Sequence, residues 1–183
     1  MRISMTTLAY KSNAQEAAER LALFWSRAGR DRIFARMNVG TSAWSSFAAT
    51  HPDGPTECPD PHEFAAFWDA HFSELARLED DSLPVAYPNE FDQGIYSAVA
   101  FGAPMSFNRS GTRVSSMTPV ALDDISKVHE LKVNPDAEAL KLVDRHIGVY
   151  ADVARGKFGV APYIVIDAMN FVVEARGAAP SVV

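Results

Sequence analysis

The chain has 183 residues, 48% of them hydrophobic, which is enough for one domain with a real core. Its net charge of −6, with 17 basic residues scattered along the chain, argues against nucleic acid and against an anionic membrane surface as partners. The single cysteine, Cys58, excludes an internal disulfide framework and any C-x-x-C metal motif. No apolar run approaches the ~20 residues of a membrane helix, and the opening "MRISMTTLAYKSNAQE" lacks an apolar stretch with a small-residue cleavage site. A cytoplasmic globular protein is expected.

Asn13, with Glu16 three residues on, has the pattern of a capping box. Ala17, Ala18, Leu21, Phe24, Trp25 and Ala28 follow at helical spacing, and Gly29 is placed to stop the helix. "RIFARMNVG" (Arg32–Gly40) is rich in strand formers, and residues 50–62, "THPDGPTECPDPH", read as a Pro-rich loop. Asp60, Pro61 and Glu63 look like an N-cap, an N1 proline and an N3 acid, and Phe64, Phe67, Trp68, Phe72, Leu75 and Ala76 form the buried stripe of a second helix. "SLPVAYP" (Ser82–Pro88) is a short strand and "QGIYSAVAFG" (Gln93–Gly102) a short helix ending in glycine. "APMSFNRSGTRVSSMTPV" is expected to be extended or irregular, and Pro135 to Arg155 a helix. The closing "FGVAPYIVI" is near-continuously apolar, as a strand buried on both faces reads, and a helix begins around Phe171.

Strands alternating with helices, joined by crossovers longer than a dozen residues, imply a parallel sheet. The three or four β/α units are too few for a five-stranded doubly wound sheet. They are also too few for a (β/α)8 barrel, which takes ~250 residues. The expected fold is therefore α/β: a partial (β/α)8 TIM barrel, about half of one, forming a single incomplete domain over residues 1–183. The rest of the sheet is expected to lie outside this chain. Open edges and apolar side chains such as Tyr163, Val165 and Val172 should then make it associate.

Three stretches carry a resemblance. "LALFWSRAGRDRIFARMNVG" has a Phe-Trp pair leading through Asp-Arg into a strand, and "LEDDSLPVAYPNEFDQGIYSAVAFGAP" has an acidic helix end, a Leu-Pro strand and a helix closing in Phe-Gly. The segment from Asp123 to Gly177 has Leu-x-x-Leu, a long helix, Gly-Lys, a strand and a helix ending in Arg-Gly. Together they resemble the N-terminal half of the uroporphyrinogen decarboxylase-like superfamily. The resemblance implies a TIM barrel and a carboxy-lyase acting on a tetrapyrrole or another carboxylated substrate, or the related corrinoid-linked methyltransferases. A non-catalytic half-barrel remnant that depends on a partner is the third reading. Authentic decarboxylases carry an Arg-Gln-Ala-Gly-Arg-Tyr run after the first strand. Here "RAGR" (Arg27–Arg30) precedes the strand, where a helix C-terminus accounts for it, and "NVGTSAWSSFAA" has no arginine.

In a barrel, chemistry sits at the C-terminal ends of the strands. That selects Asn38, then Asn89, Glu90 and Asp92, then Asp167 and Asn170. The resemblance implies that Asp92 or Glu90 takes the role of the acid that binds pyrrole N–H groups and stabilises developing charge; alternatively Asn89 and Asp92 cap the Gln93 helix. Asp167 reads equally as a helix N-cap. Arg113 and Arg36 are the arginines nominated to hold substrate carboxylates, against a solvated-loop and a strand-charge reading respectively. Trp44 either lines a flat-substrate pocket or belongs to the core. The expected site is thus Glu90 and Asp92 with Asn38, Trp44, Asn89, Arg113, Asp167 and Asn170, without a metal. Zinc and a corrinoid enter only with the methyltransferase reading; Cys58, His51 and His62 match no tetrahedral spacing. His71, His129 and His146 read as structural or solvated, and "ARLEDD" as an ordinary acidic helix end. A small-molecule substrate, and a homo-oligomer or the missing half barrel, are the expected partners.

Overall fold

The computed structural model describes residues 7–30, 32–88, 90–91, 94–130, 132, 134–161 and 168–177. In chain order these form α1 (Ala14–Trp25), α2 (Ser42–Thr50), β1 (Gly54–Thr56), α3 (Pro61–Leu75), β2 (Val85–Ala86) and α4 (Ile95–Phe101). There follow β3 (Ser106–Ser110), β4 (Arg113–Met117), a 3-10 turn (Ile125–Glu130), α5 (Glu138–Ala154), β5 (Gly159–Val160) and α6 (Ala168–Arg176). The chain is α/β, with helices around two small sheets, and no closed barrel is present among the described residues. No described helix is long and apolar enough to cross a membrane.

The helix signals translate directly. Asp60 accepts a hydrogen bond from the His62 amide at 2.9 Å, with Pro61 at the first helical position of α3. That satisfies one orphan donor where the proline has none to lose. α3 buries Phe64, Phe67, Trp68 and Phe72 as the stripe predicts, and His71 with them. α4 ends at Gly102, whose φ of 66° is the left-handed closure that glycine takes without strain. α1 differs from its expectation. Asn13 precedes it without a side-chain capping bond, and only Ala14, Ala17 and Ala18 are buried. The expected apolar stripe does not reach its C-terminal end, where Phe24 and Trp25 are exposed.

The strands differ more. One parallel pair is present among the described residues, β2 with β5, two residues on each side. It joins the "LPVAYP" and "FGVA" segments, both read as strands of a parallel sheet, although residues 162–167 lie outside the described residues. The second sheet is antiparallel, in the order β1-β3-β4. Its first strand comes from the supposed Pro-rich loop, and the other two form a hairpin inside the stretch expected to be extended or irregular. That hairpin alternates, with Phe107 and Arg109 buried on β3 and Val114 and Ser116 on β4. "RIFARMNVG", read as strand-forming, forms neither helix nor strand and joins neither sheet. α2 follows it, a helix absent from those expected of the sequence. α3 packs on α2 and α5, and α4 on α5 and α6, around Phe64, Phe67, Trp68, Phe91, Tyr150 and Phe158.

Candidate functional site

A cavity of about 400 Å³ opens between residues 36–40, the first turn of α2, one face of α3 and residues 78–87. Its size falls within the ~300–1,000 Å³ usual for small-molecule sites. Its walls are largely aromatic and aliphatic, with Tyr10, Trp44, Trp68, Phe72 and Tyr87 among them.

One edge is built by two adjacent acids. Asp80 Oδ1 meets Lys11 Nζ at 2.7 Å and accepts the Ser82 hydroxyl at 2.8 Å, while Oδ2 accepts the Met37 amide at 2.8 Å. Burial pushes the Asp80 carboxyl up, but the Lys11 bond, the Met37 amide and the Ser82 donors together outweigh it and hold the group down at about 2. Lys11 spends its other hydrogens on the Leu78 and Asp80 carbonyls, both at 2.8 Å. Asp81 accepts Arg20 Nε at 2.6 Å and the Ala35 amide at 2.9 Å; the Arg20 bond leads in holding its carboxyl below the ordinary value. The Asp81 amide donates back to the Ala35 carbonyl at 2.9 Å. Side-chain carboxylates therefore do for segment 35–37 part of what a neighbouring strand would have done, and the cavity opens beside them.

The opposite edge is fixed by α3 reaching across to α2. Glu74 accepts the Ser42 and Ala43 amides at 2.8 and 3.1 Å and the Ser42 hydroxyl at 2.7 Å. It caps the α2 N-terminus from another helix, and the Ser42 hydroxyl is the leading cause of its lowered pKa. Thr41, the N-cap residue, makes no capping bond of its own. Its hydroxyl instead lies 2.8 Å from His71 Nδ1, and the Trp44 indole N–H donates to the same nitrogen at 3.1 Å. Burial lowers the His71 pKa.

Of the residues expected at the site, Asn38 and Trp44 line this cavity, as does Arg36. Asn89, Asp92 and Asp167 lie outside the described residues. Glu90 does not line it. The side chain is fully buried, 2.8 Å from His146 Nδ1, and accepts the Tyr150 hydroxyl at 3.1 and 3.2 Å. Burial, then the Glu90 charge, raises the Tyr150 pKa far above its ordinary value. Arg113 is exposed on β4 and Asn170 sits on α6; neither lines the cavity. Arg27 and Arg30 are exposed and do not line it either.

Cys58 is exposed and its thiol pKa is pushed up by partial burial. His51 stacks on Phe47 and meets Glu63 at 3.1 Å. Among the described residues no group of three or more His, Cys, Asp or Glu is placed to hold a metal ion. Sequence reasoning missed His71, Asp80 and Lys11. His71 had a signal, since it falls on the buried stripe of α3 three residues after Trp68. "ARLEDD" had none: α3 ends at Leu75, and both aspartates are buried rather than solvated. No family model, no curated protein and no solved structure significantly matches the chain.

Proposed function

We propose that this chain is the N-terminal part of a uroporphyrinogen decarboxylase-like carboxy-lyase, a half barrel whose cavity receives a planar, carboxylated substrate. The observation that carries this reading is the state of the polar groups around the cavity. Lys11 and Asp80 are spent on each other and on backbone. Arg36 lines the cavity and makes no hydrogen bond or ion pair among the described residues. A guanidinium beside aromatic walls suits a flat acid, which it holds in bidentate fashion while the rings cover its faces. Asn38, next but one along the same segment, adds an amide. The parallel pairing of β2 with β5 across a long crossover is consistent with β/α units.

Decarboxylation itself needs an acid or electron sink at the reacting ring, and Asp92 remains the residue nominated for it. The opposite strands of a barrel would supply the rest, so the isolated chain binds without turnover. A partner-dependent remnant is the second reading, favoured by segment 33–39, which joins neither sheet.

The test is calorimetric titration with naphthalene-2-carboxylate against 2-methylnaphthalene, together with uroporphyrinogen as a turnover substrate. Saturable binding of the acid, weakened about tenfold in Arg36→Ala as loss of a charge-assisted contact predicts, supports the reading. Equal affinity for the acid and the neutral hydrocarbon would overturn it, and CO₂ release by this chain alone would overturn the half-barrel assignment.

A further inference from the structure

We infer that His71 is a neutral hydrogen-bond donor of the cavity, fixed in one tautomer: Trp44 and Thr41 hold its imidazole as the Nε2–H form, and that N–H donates to a carboxylate oxygen of the bound ligand. The second half rests on the carboxylate reading above; the first does not. An indole N–H can only donate. Trp44 Nε1 stands 3.1 Å from His71 Nδ1, so that nitrogen must offer its lone pair and cannot carry a proton. The Thr41 hydroxyl at 2.8 Å then donates to the same atom. The ring's proton is left on Nε2, and the imidazolium is excluded because it would turn a second N–H against the indole.

The ring is also fixed in orientation. Phe67 lies parallel to it at 6.0 Å and 12°, and Trp44 meets it edge-on at 5.6 Å and 90°. Its burial favours the uncharged form in the same sense. Trp44 therefore reaches the ligand through His71 and is a positioning residue. The accounting of donors gives His71 its part. Lys11 and Asp80 are satisfied within the protein, which leaves Arg36 as the charge, Asn38 with its amide, and His71 as the neutral donor whose tautomer is fixed. Two donors such as Arg36 and His71 bind a carboxylate oxygen and offer nothing to a ligand group that only donates, which is costly once binding has stripped that group of water.

Long-range 15N NMR of the full chain at neutral pH reads the tautomer directly. The expected result is an unprotonated Nδ1 and a protonated Nε2 on His71, with the Nε2 resonance moving on addition of naphthalene-2-carboxylate. Trp44→Phe keeps the ring but removes the donor, and should give a mixture of tautomers with weaker acid binding. His71→Leu should lose about tenfold in affinity for the acid and none for 2-methylnaphthalene, while His71→Gln, whose amide reaches the place of Nε2, restores most of the loss. A protonated Nδ1 overturns the inference even if the acid binds. Folded His71→Leu with wild-type affinity for the acid also overturns it. If the wild-type chain binds no acid, the carboxylate reading falls and takes the ligand role of His71 with it.

Discussion

Arg27 holds a left-handed backbone, φ 56°, where α1 closes. The Ala28 amide reaches back to the Leu23 carbonyl at 2.9 Å and the Arg27 amide to Phe24 at 3.0 Å, the bonding of a glycine-type helix end. A residue with a Cβ pays strain there, so Arg27→Gly should stabilise the protein by up to ~1 kcal/mol and raise Tm by about 2–4 °C. An unchanged or lower Tm would contradict this. Asp80 sets the acid response. Its carboxyl titrates at about 2 when folded against 3.8 for the free group, so it contributes stability above pH 3.8 that is lost as pH falls through the folded value. The contribution is about 2 kcal/mol at neutral pH. Asp80→Asn should unfold at lower urea at pH 7, where it leaves Lys11 buried and unpaired, and the gap from wild type should narrow below about pH 3. A gap that is constant with pH would show that the ion pair contributes nothing.

Among the elements, the residue that caps α4, Gly94, lies tight against β4. A Cβ on Gly94 would lie 2.4 Å from the Ser116 carbonyl oxygen. Gly94 has ordinary helical angles, φ −58° and ψ −22°, so alanine suits the backbone and alone would gain up to ~1 kcal/mol. The contact is with backbone, which yields only by moving a strand, at about 1–3 kcal/mol or more. The clash wins, and Gly94→Ala should lower Tm; a higher Tm would mean that β4 shifts freely. α5 is tied to the segment after β2 through Glu90, whose removal leaves the Tyr150 hydroxyl and His146 Nδ1 without their acceptor. Glu90→Ala should cost about 3 kcal/mol, read as a lower urea midpoint. The resemblance implied a site acid that stabilises developing charge; an unshifted midpoint would restore that view.

At the scale of the molecule, the notable surface is the exposed apolar set Phe24, Trp25, Ile33 and Met37, with Trp25 at 78% and Ile33 at 89% exposure. Ile33 and Met37 belong to segment 33–39, whose Ala35 and Met37 amides are held by Asp81 and Asp80. Large apolar side chains left exposed in this way invite association. Sedimentation velocity should show self-association at tens of micromolar, weakened in the double variant Trp25→Ser, Ile33→Ser. A monomer throughout that range would sink the expectation.

The sequence by itself determined the helices with strong local signals. Asp60-Pro61 and the aromatic stripe of α3, Gly102 at the end of α4 and the body of α5 rest on capping and periodicity within one turn of chain. It also marked Asn38 and Trp44 as residues after an extended segment, and both line the cavity. Only the tertiary structure decided the strands and the polar groups. Gly54–Thr56 becomes a strand because β3 lies beside it, and Arg32–Gly40 stays outside the sheets while Asp80 and Asp81 take up its amides. Glu90, Asp80 and His71 are polar residues that look solvated in sequence, and their burial depends on partners 56, 69 and 30 positions away. Local chemistry specifies a helix; a buried charge is specified by whichever distant residue satisfies it.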